Sequence, residues 1–423
     1  MKRKVDNIVT SLQGKKKFNW GAFLYVLAVL FCFYPYAFNS FYLLSLPEKS
    51  YITASVFLAI TVFLLAVGKS NDSVLRLVSG VVGMQMFGFF ITGVVHTNLL
   101  PFFGNLVNIV LALTLVLFVN SRIGMVHFFE KYNRWILLMA ILGCVAFFMV
   151  ELISFQPLYS LPDRNDGRPI FNYLLTFSKS DEFDIGIMRY AGFFDEPGAM
   201  AYWGLYAMVI NRLFVNNRWI EIILGVCLLF TLSIGYYIQY AAFLLFFYVF
   251  GKKRFQTLVI SILLIAVIVG VNMTKDTLNS EIYDRTFGRV EVLFGESRET
   301  NTMIAVGDRA ILTENALKEF KENPFFGTSR TDVNVGNNVY ETLALYGIIG
   351  SAFILFPFIL LVIWAFKYKD LSLLKCSIVI LLGFTHRPFH TNILYFFIIY
   401  SILIMYKQMR LHQQMECRVA TQY

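Results

Sequence analysis

The stretch Trp135-Ile-Leu-Leu-Met-Ala-Ile-Leu-Gly-Cys-Val-Ala-Phe-Phe-Met-Val-Glu-Leu-Ile153 holds a single charged side chain, Glu151, close to its end. At a rise of ~1.5 Å per residue, such a run matches the ~30 Å hydrocarbon core of a bilayer. Lipid offers no hydrogen bonds, so the backbone must satisfy its own N–H and C=O groups, and the stretch predicts a spanning α-helix. Four similar runs precede it: Trp20 to Phe38, Tyr51 to Val67, Leu77 to Val95 and Leu106 to Val119. Seven follow: Met200 to Val215, Trp219 to Ile234, Tyr236 to Phe250, Leu258 to Met273, Val339 to Phe366, Leu371 to Thr385 and Thr391 to Tyr406. A tight hairpin around Gly235 is expected between the seventh and eighth. The fold class is therefore expected to be an all-α polytopic membrane protein, about twelve transmembrane helices in one integral membrane domain over residues 1–423. Apart from Glu151, the span cores read as nearly uncharged.

Composition agrees: 57% of the 423 residues are hydrophobic and 15% charged, far from a soluble domain. Apolar runs recur from Trp20 to Tyr406, unlike the one short core of a cleaved signal peptide. The net charge of +9 does not signal nucleic acid, because the basic residues fall between spans and not on one face. Most of the Lys and Arg sit in 1–19, around Lys69 and Arg76, in 122–134, 212–218, 252–254 and 367–375, and after Tyr406. Most of the acids sit in two long loops, 155–196 and 274–336. The positive-inside bias then predicts both termini in the cytoplasm and both long loops outside, which for a bacterial inner membrane is the periplasm. Long outer loops and short inner linkers put the expected chemistry outside. The five cysteines show neither a disulfide framework nor a metal knuckle. No P-loop, HExxH or GxGxxG is present, which disfavours an ATPase, a zinc protease and a Rossmann enzyme.

The first long loop ends in Arg189-Tyr-Ala-Gly-Phe-Phe-Asp195-Glu196-Pro197-Gly198 at the mouth of the sixth span. Proline and glycine fix a turn that gathers one cation and two carboxylates. The second loop carries Arg285, Arg289 and Arg298. An amphipathic stretch starting Asp308-Arg309 follows, with Ile311, Leu312, Leu317 and Phe320 at helical spacing, suited to lie on a bilayer. Next come Asn323-Pro324-Phe-Phe-Gly327 and then Asn337-Asn338, leading into the tenth span. Single arginines in an acid-rich loop are more often solvated ion pairs, and the case rests on several together. Between the last two spans lies Thr385-His386-Arg387-Pro388-Phe389-His390. The two histidines have metal-ligand spacing, but Pro388 interrupts a helix there, so no metal is invoked.

These residues resemble the O-antigen polymerase and ligase superfamily of lipid-linked glycan transferases. Arg189, Gly192, Phe193 and Pro197 match an Arg-x-x-Gly-Phe-x-x-x-Pro segment before a span. Arg309, Asn323, Pro324, Gly327, Asn337, Leu343, Gly347 and Gly350 match a second element, an arginine at an amphipathic helix start, an Asn-Pro-x-x-Gly turn and a Leu-x-x-x-Gly-x-x-Gly run. The likeness covers the chain from the fifth span onward.

The resemblance implies an architecture like the class C glycosyltransferases, with an undecaprenyl-diphosphate-linked oligosaccharide as both donor and acceptor, no cofactor and no nucleotide sugar. It implies polymerisation of repeat units, the chain growing at its reducing end. Arginine forks suit a diphosphate, since they bind phosphate oxygens in pairs and stay charged beside lipid. Arg189 and Arg309 are the expected diphosphate ligands. Arg285, Arg289, Arg387, Asn337 and Asn338 are expected to position lipid and glycan, and Glu196, Asp195 or His386 to activate the acceptor, with His390 a further candidate. Ligases of the superfamily typically carry a His just before the Asn of the second element, whereas here Gly336 precedes Asn337, which lowers the ligase reading. A chain-length regulator (a polysaccharide co-polymerase) and a flippase are the partners such a reaction implies. The rivals are an O-antigen ligase acting on lipid A core and, from another class, a flippase of lipid-linked units. A flippase should show related halves and charges along a central cavity.

Overall fold

The computed structural model describes residues 18–31, 50–66, 72–162, 169–173, 176–179, 188–194, 196–249, 302–328, 340–384 and 392–420. The ninth expected span, 258–273, lies outside them. Helices α1 (Trp20–Leu30), α2 (Ser50–Ala66), α3 (Asp72–Val95), α4 (Leu100–Arg122) and α5 (Met125–Ile153) come first. After a small sheet follow α6 (Pro197–Ile210), α7 (Arg218–Leu229) and α8 (Ile234–Leu244), then α9 (Thr302–Glu322), α10 (Glu341–Ile354), α11 (Phe356–Lys367), α12 (Leu371–Phe384) and α13 (Ile393–Ala420). Among the described residues, four helical stretches are long and apolar enough to cross a membrane, Arg76–Val95, Leu100–Arg122, Met125–Val150 and Ile393–Met415. The pair α10 and α11, bent by 47° at its break, is long and apolar enough for this only when taken together. These are the elements of a helical membrane protein.

The expected tenth span, drawn as one helix over 339–366, is corrected to this bent pair. Its break follows from sequence: Pro357 lacks the N–H an unbroken helix needs, so the chain restarts at Phe356 with proline in its first turn. The hairpin expected at Gly235 is corrected too. The turn is Phe230 to Ser233, with Leu232 left-handed at φ +51°, and Gly235 lies inside α8.

Among the described residues, two helical stretches are buried all round. Every residue of α6 from Pro197 to Ile210 is buried, as is α13 from Ile393 to Tyr406. A helix apolar on every side packs inside a bundle, whereas one with a single buried stripe faces its surroundings on the other. Helix α13 packs on α4, α3, α5 and α11, while α6 packs on α5, α7 and α8. One buried polar group links three of these elements: Gln85 of α3 donates to the Ile354 carbonyl at 2.7 Å and accepts from the Tyr400 hydroxyl of α13.

The all-α expectation needs a further correction. In the first long loop, β1 (Tyr159–Pro162), β2 (Pro169–Tyr173), β3 (Thr176–Lys179) and β4 (Tyr190–Gly192) form an antiparallel sheet in the order β1-β2-β3-β4. Tyr159 pairs Asn172 and Phe171 pairs Ser178, with a register shift between Phe177 and Ser178 where β4 joins. The sheet packs on α5 through β3 and β4, and on α6 through β4. Consecutive crossings α4 and α5, joined by two residues, return the chain to one side, so the α3–α4 loop, the sheet and the α7–α8 turn share a face, here the sheet face. Arg122, Lys131, Arg212, Arg218, Lys367 and Arg410 lie at the opposite ends of the helices.

Candidate functional site

Arg189 immediately precedes β4, and its guanidinium reaches the α7–α8 turn. Nε donates to the Thr231 carbonyl at 3.2 Å and Nη2 to the Leu232 carbonyl at 3.3 Å. Both carbonyls lie past the end of α7, whose own last carbonyls accept from Phe230, Thr231 and Leu232, so the guanidinium pairs acceptors of the turn itself. Next to it the Tyr190 hydroxyl donates to the Cys227 carbonyl at 2.6 Å, and Tyr237 donates to the Leu229 carbonyl at 2.9 Å. Burial pushes the Tyr190 phenol well above its ordinary value, with Cys227 and Cys144 adding to the rise. Gly192 donates to Thr176 Oγ1 at 3.2 Å, tying β4 to the sheet. Phe193 and Phe194 then bury their rings against Trp135 and Phe31. Glu196 is half-buried at the start of α6, its carbonyl accepting from Ala199 and Met200, and Pro197 takes the first helical position. Asp195 lies outside the described residues.

The second element forms a backbone interlock. Helix α10 is broken at Gly347, where φ is +63° and ψ −172°. That break frees two amides, and both find carbonyls of the Asn323–Gly327 turn: Ile348 donates to Pro324 at 2.8 Å and Ile349 to Phe325 at 3.0 Å. The freed Ala344 carbonyl accepts from Thr328 at 2.8 Å. Gly327, at φ +70°, meets the chain at Leu345 and Tyr346, and Gly347 meets it at Phe325 and Phe326; a Cβ at either would overlap backbone. Pro324 has no N–H to give, and its carbonyl is the one recruited. These matched residues thus build a scaffold on which α9 and α10 are locked, with Ala316 against Ala344 in its core.

A histidine that sequence reasoning passed over reaches this interlock. His96, after the last turn of α3, places Nε2 at 3.2 Å from the Phe326 carbonyl, 230 residues away in sequence. No local pattern signals such a contact. Arg309 lies within α9. Arg285, Arg289, Asn337, Asn338, His386, Arg387 and His390 lie outside the described residues.

A second polar cluster sits at the other end of the bundle and corrects the reading of uncharged span cores. Glu221, 1% exposed in the first turn of α7, accepts from Asn211 at 2.9 Å and from the Tyr248 hydroxyl at 2.8 Å. Arg212 Nη1 lies 3.4 Å from the same carboxylate, and its guanidinium lies over the rings of Phe247 and Tyr248. Both sides are built on π-helical turns, Asn211–Val215 and Leu245–Val249, each the continuation of an α-helix. Glu221 is three residues past Arg218, so the sequence reads as an ordinary charged helix start. Only the fold shows it turned inward.

No curated protein matches the chain. Residues 219–350 match the family model Wzy_C, described as O-Antigen ligase. The matched stretch contains the α7–α8 turn and the whole interlock, and Arg189, outside it, is hydrogen-bonded into it. Over residues 219–350, about a third of its length, the chain is thus similar to the O-antigen ligase family.

Proposed function

We propose that the chain is a glycosyltransferase that joins undecaprenyl-diphosphate-linked oligosaccharide repeat units, acting on the periplasmic face of a bacterial inner membrane with both termini in the cytoplasm. The observation that carries this reading is the family match over residues 219–350. A donor already activated as a lipid diphosphate needs neither ATP nor a nucleotide. The protein's task is to hold the diphosphate, stabilise charge as it leaves, and take a proton from the acceptor hydroxyl. Arg189 and Arg309 hold the diphosphate, and Arg285, Arg289 and Arg387 position the second lipid. Asn337 and Asn338 bind glycan. Glu196, Asp195 and His386 are the sequence candidates for the proton acceptor. For Arg189 the geometry gives support: the Thr231 and Leu232 carbonyls hold the guanidinium in a fixed orientation. A flippase that delivers the units and a chain-length regulator are the partners this reaction implies.

The family description favours one rival, a ligase that transfers the finished glycan to lipid A core. Both are separated by the length distribution of surface polysaccharide from cells whose chromosomal copy carries Arg189→Ala or Arg309→Ala at normal protein levels. Loss of the ladder with single capped repeat units retained supports polymerisation. Loss of even the single capped unit turns the reading to ligation or flipping, and an unchanged ladder rejects the diphosphate clamp.

A further inference from the structure

We propose that His96 takes the proton of the attacking acceptor hydroxyl, an inference that rests on the transferase reading above and adds to it a residue from the α3–α4 loop. A carbonyl only accepts hydrogen bonds, so the Phe326 oxygen 3.2 Å from Nε2 fixes the tautomer: Nε2 carries the hydrogen and Nδ1 is left with its lone pair. An imidazole oriented through one nitrogen and basic at the other is the arrangement a general base needs. The ring is also held on a rigid base. The His96 amide donates to Thr92 at 3.1 Å, that of Asn98 donates to Gly93 at 2.9 Å, and Thr97 between them is left-handed at φ +53°. A β-branched residue pays for that conformation, and glycine would not. Asn98 Oδ1 in turn accepts from Leu100, starting α4.

His96 is only half-buried, and it lies on the sheet face, beside the turn into which α9, the helix of Arg309, runs. Leu100 and Phe325, close along the chain to the two partners, are exposed at 78% and 63%, so the imidazole sits at an apolar rim where a lipid-borne substrate arrives. In the step, the acceptor oxygen forms a bond to the anomeric carbon of the donor, and the bond from that carbon to the diphosphate oxygen breaks. The leaving undecaprenyl diphosphate keeps the electron pair, and the hydroxyl proton passes to Nδ1 of His96 and from there to water.

The test separates the ring's two nitrogens. In His96→Gln the side-chain amide donates to Phe326 as Nε2 does but supplies no base, whereas His96→Ala removes both. Full-length protein is expressed from the chromosome, its amount and thermal unfolding measured, and the surface polysaccharide resolved on a gel. The expected result is a Gln variant as abundant and stable as the parent with chain growth reduced ~10²-fold or more. Membranes from the Ala variant, holding their own accumulated lipid-linked units, should regain chain growth when imidazole is added. A full ladder in the Gln variant, or no recovery of the Ala variant with imidazole, overturns the proposal. Deletion of the whole gene that leaves the ladder intact rejects the transferase reading itself, whatever His96 does.

Discussion

The amide of Ile348 donates to the carbonyl of Pro324 across the break that Gly347 makes in α10. A spanning helix and the loop before it thereby share backbone hydrogen bonds that neither forms alone. Side-chain changes leave such bonds in place, whereas a change of backbone conformation removes them.

Gly347→Ala is therefore expected to be among the most damaging single substitutions in the described chain. Backbone at φ +63° and ψ −172° is essentially glycine's alone and costs an alanine ~1–3 kcal/mol, and the added carbon overlaps Phe325 and Phe326 besides. Gly350→Ala is expected to be milder, since its Cβ meets no backbone atom: Thr92 Oγ1 at 2.7 Å can rotate away, and Tyr346 Cβ at 2.9 Å asks for a small shift of the turn. Thermal unfolding of the two purified variants in detergent checks the order; equal loss would mean the interlock is not what Gly347 serves.

Arg189 has a structural task on the α7–α8 turn as well as its proposed one, and Arg189→Lys distinguishes them. An ammonium reaches one carbonyl and keeps the charge, but lacks the fork that spans Thr231 and Leu232. Arg189→Ala is expected to lower stability by ~1–2 kcal/mol through the loss of its bonds to the two turn carbonyls. Lysine should restore most of that stability while leaving chain growth impaired. Full activity in the Lys variant would argue that charge alone is required.

Glu221→Ala should destabilise the protein by about 3–5 kcal/mol, the usual cost of stranding one member of a buried ion pair. Replacing Arg212 and Glu221 together with apolar residues of similar volume is expected to be far less harmful than either change alone. A double variant as unstable as the sum of the singles would show that the two side chains do not act as a pair.

Tyr190→Phe removes the donor to Cys227 and should lower stability by ~0.5–1.5 kcal/mol. Because burial raises the phenol's pKa in the folded state, its contribution is fully present below the unfolded value of ~10 and is lost as pH climbs toward the folded one. The stability gap between parent and variant should thus stay constant from neutral pH to about 10 and close above it. Unfolding midpoints measured at alkaline pH for both proteins check the sign.

Length and hydropathy were enough to read α3, α4, α5 and α13, because each is a run that only lipid or a bundle core accommodates. The sheet was not legible: strands such as Thr176–Lys179 are too short for alternation to register, and they lie in a loop whose composition gives no period. The α7–α8 turn was misplaced because the visible glycine, Gly235, is helical, while the reversal is made by Thr231 and a left-handed Leu232 that carry no turn signature. In the site, Gly327 and Gly347 were visible as a pattern without a reason. The reason is a close approach of two segments, and only the fold supplies it. His96 and Glu221 escaped notice on the same ground, since each takes its meaning from a partner on another element.

Helix α13, enclosed on every side from Ile393 to Tyr406, follows all the other described helices in the chain. During synthesis its neighbours must therefore enter the bilayer around a place not yet filled. Until that helix is made, the sides of α3, α4, α5 and α11 that pack on it lack this partner. The centrepiece thus enters after the helices it packs between, and a ribosome that stalls before residue 393 leaves an assembly with a seam that cellular quality control can recognise.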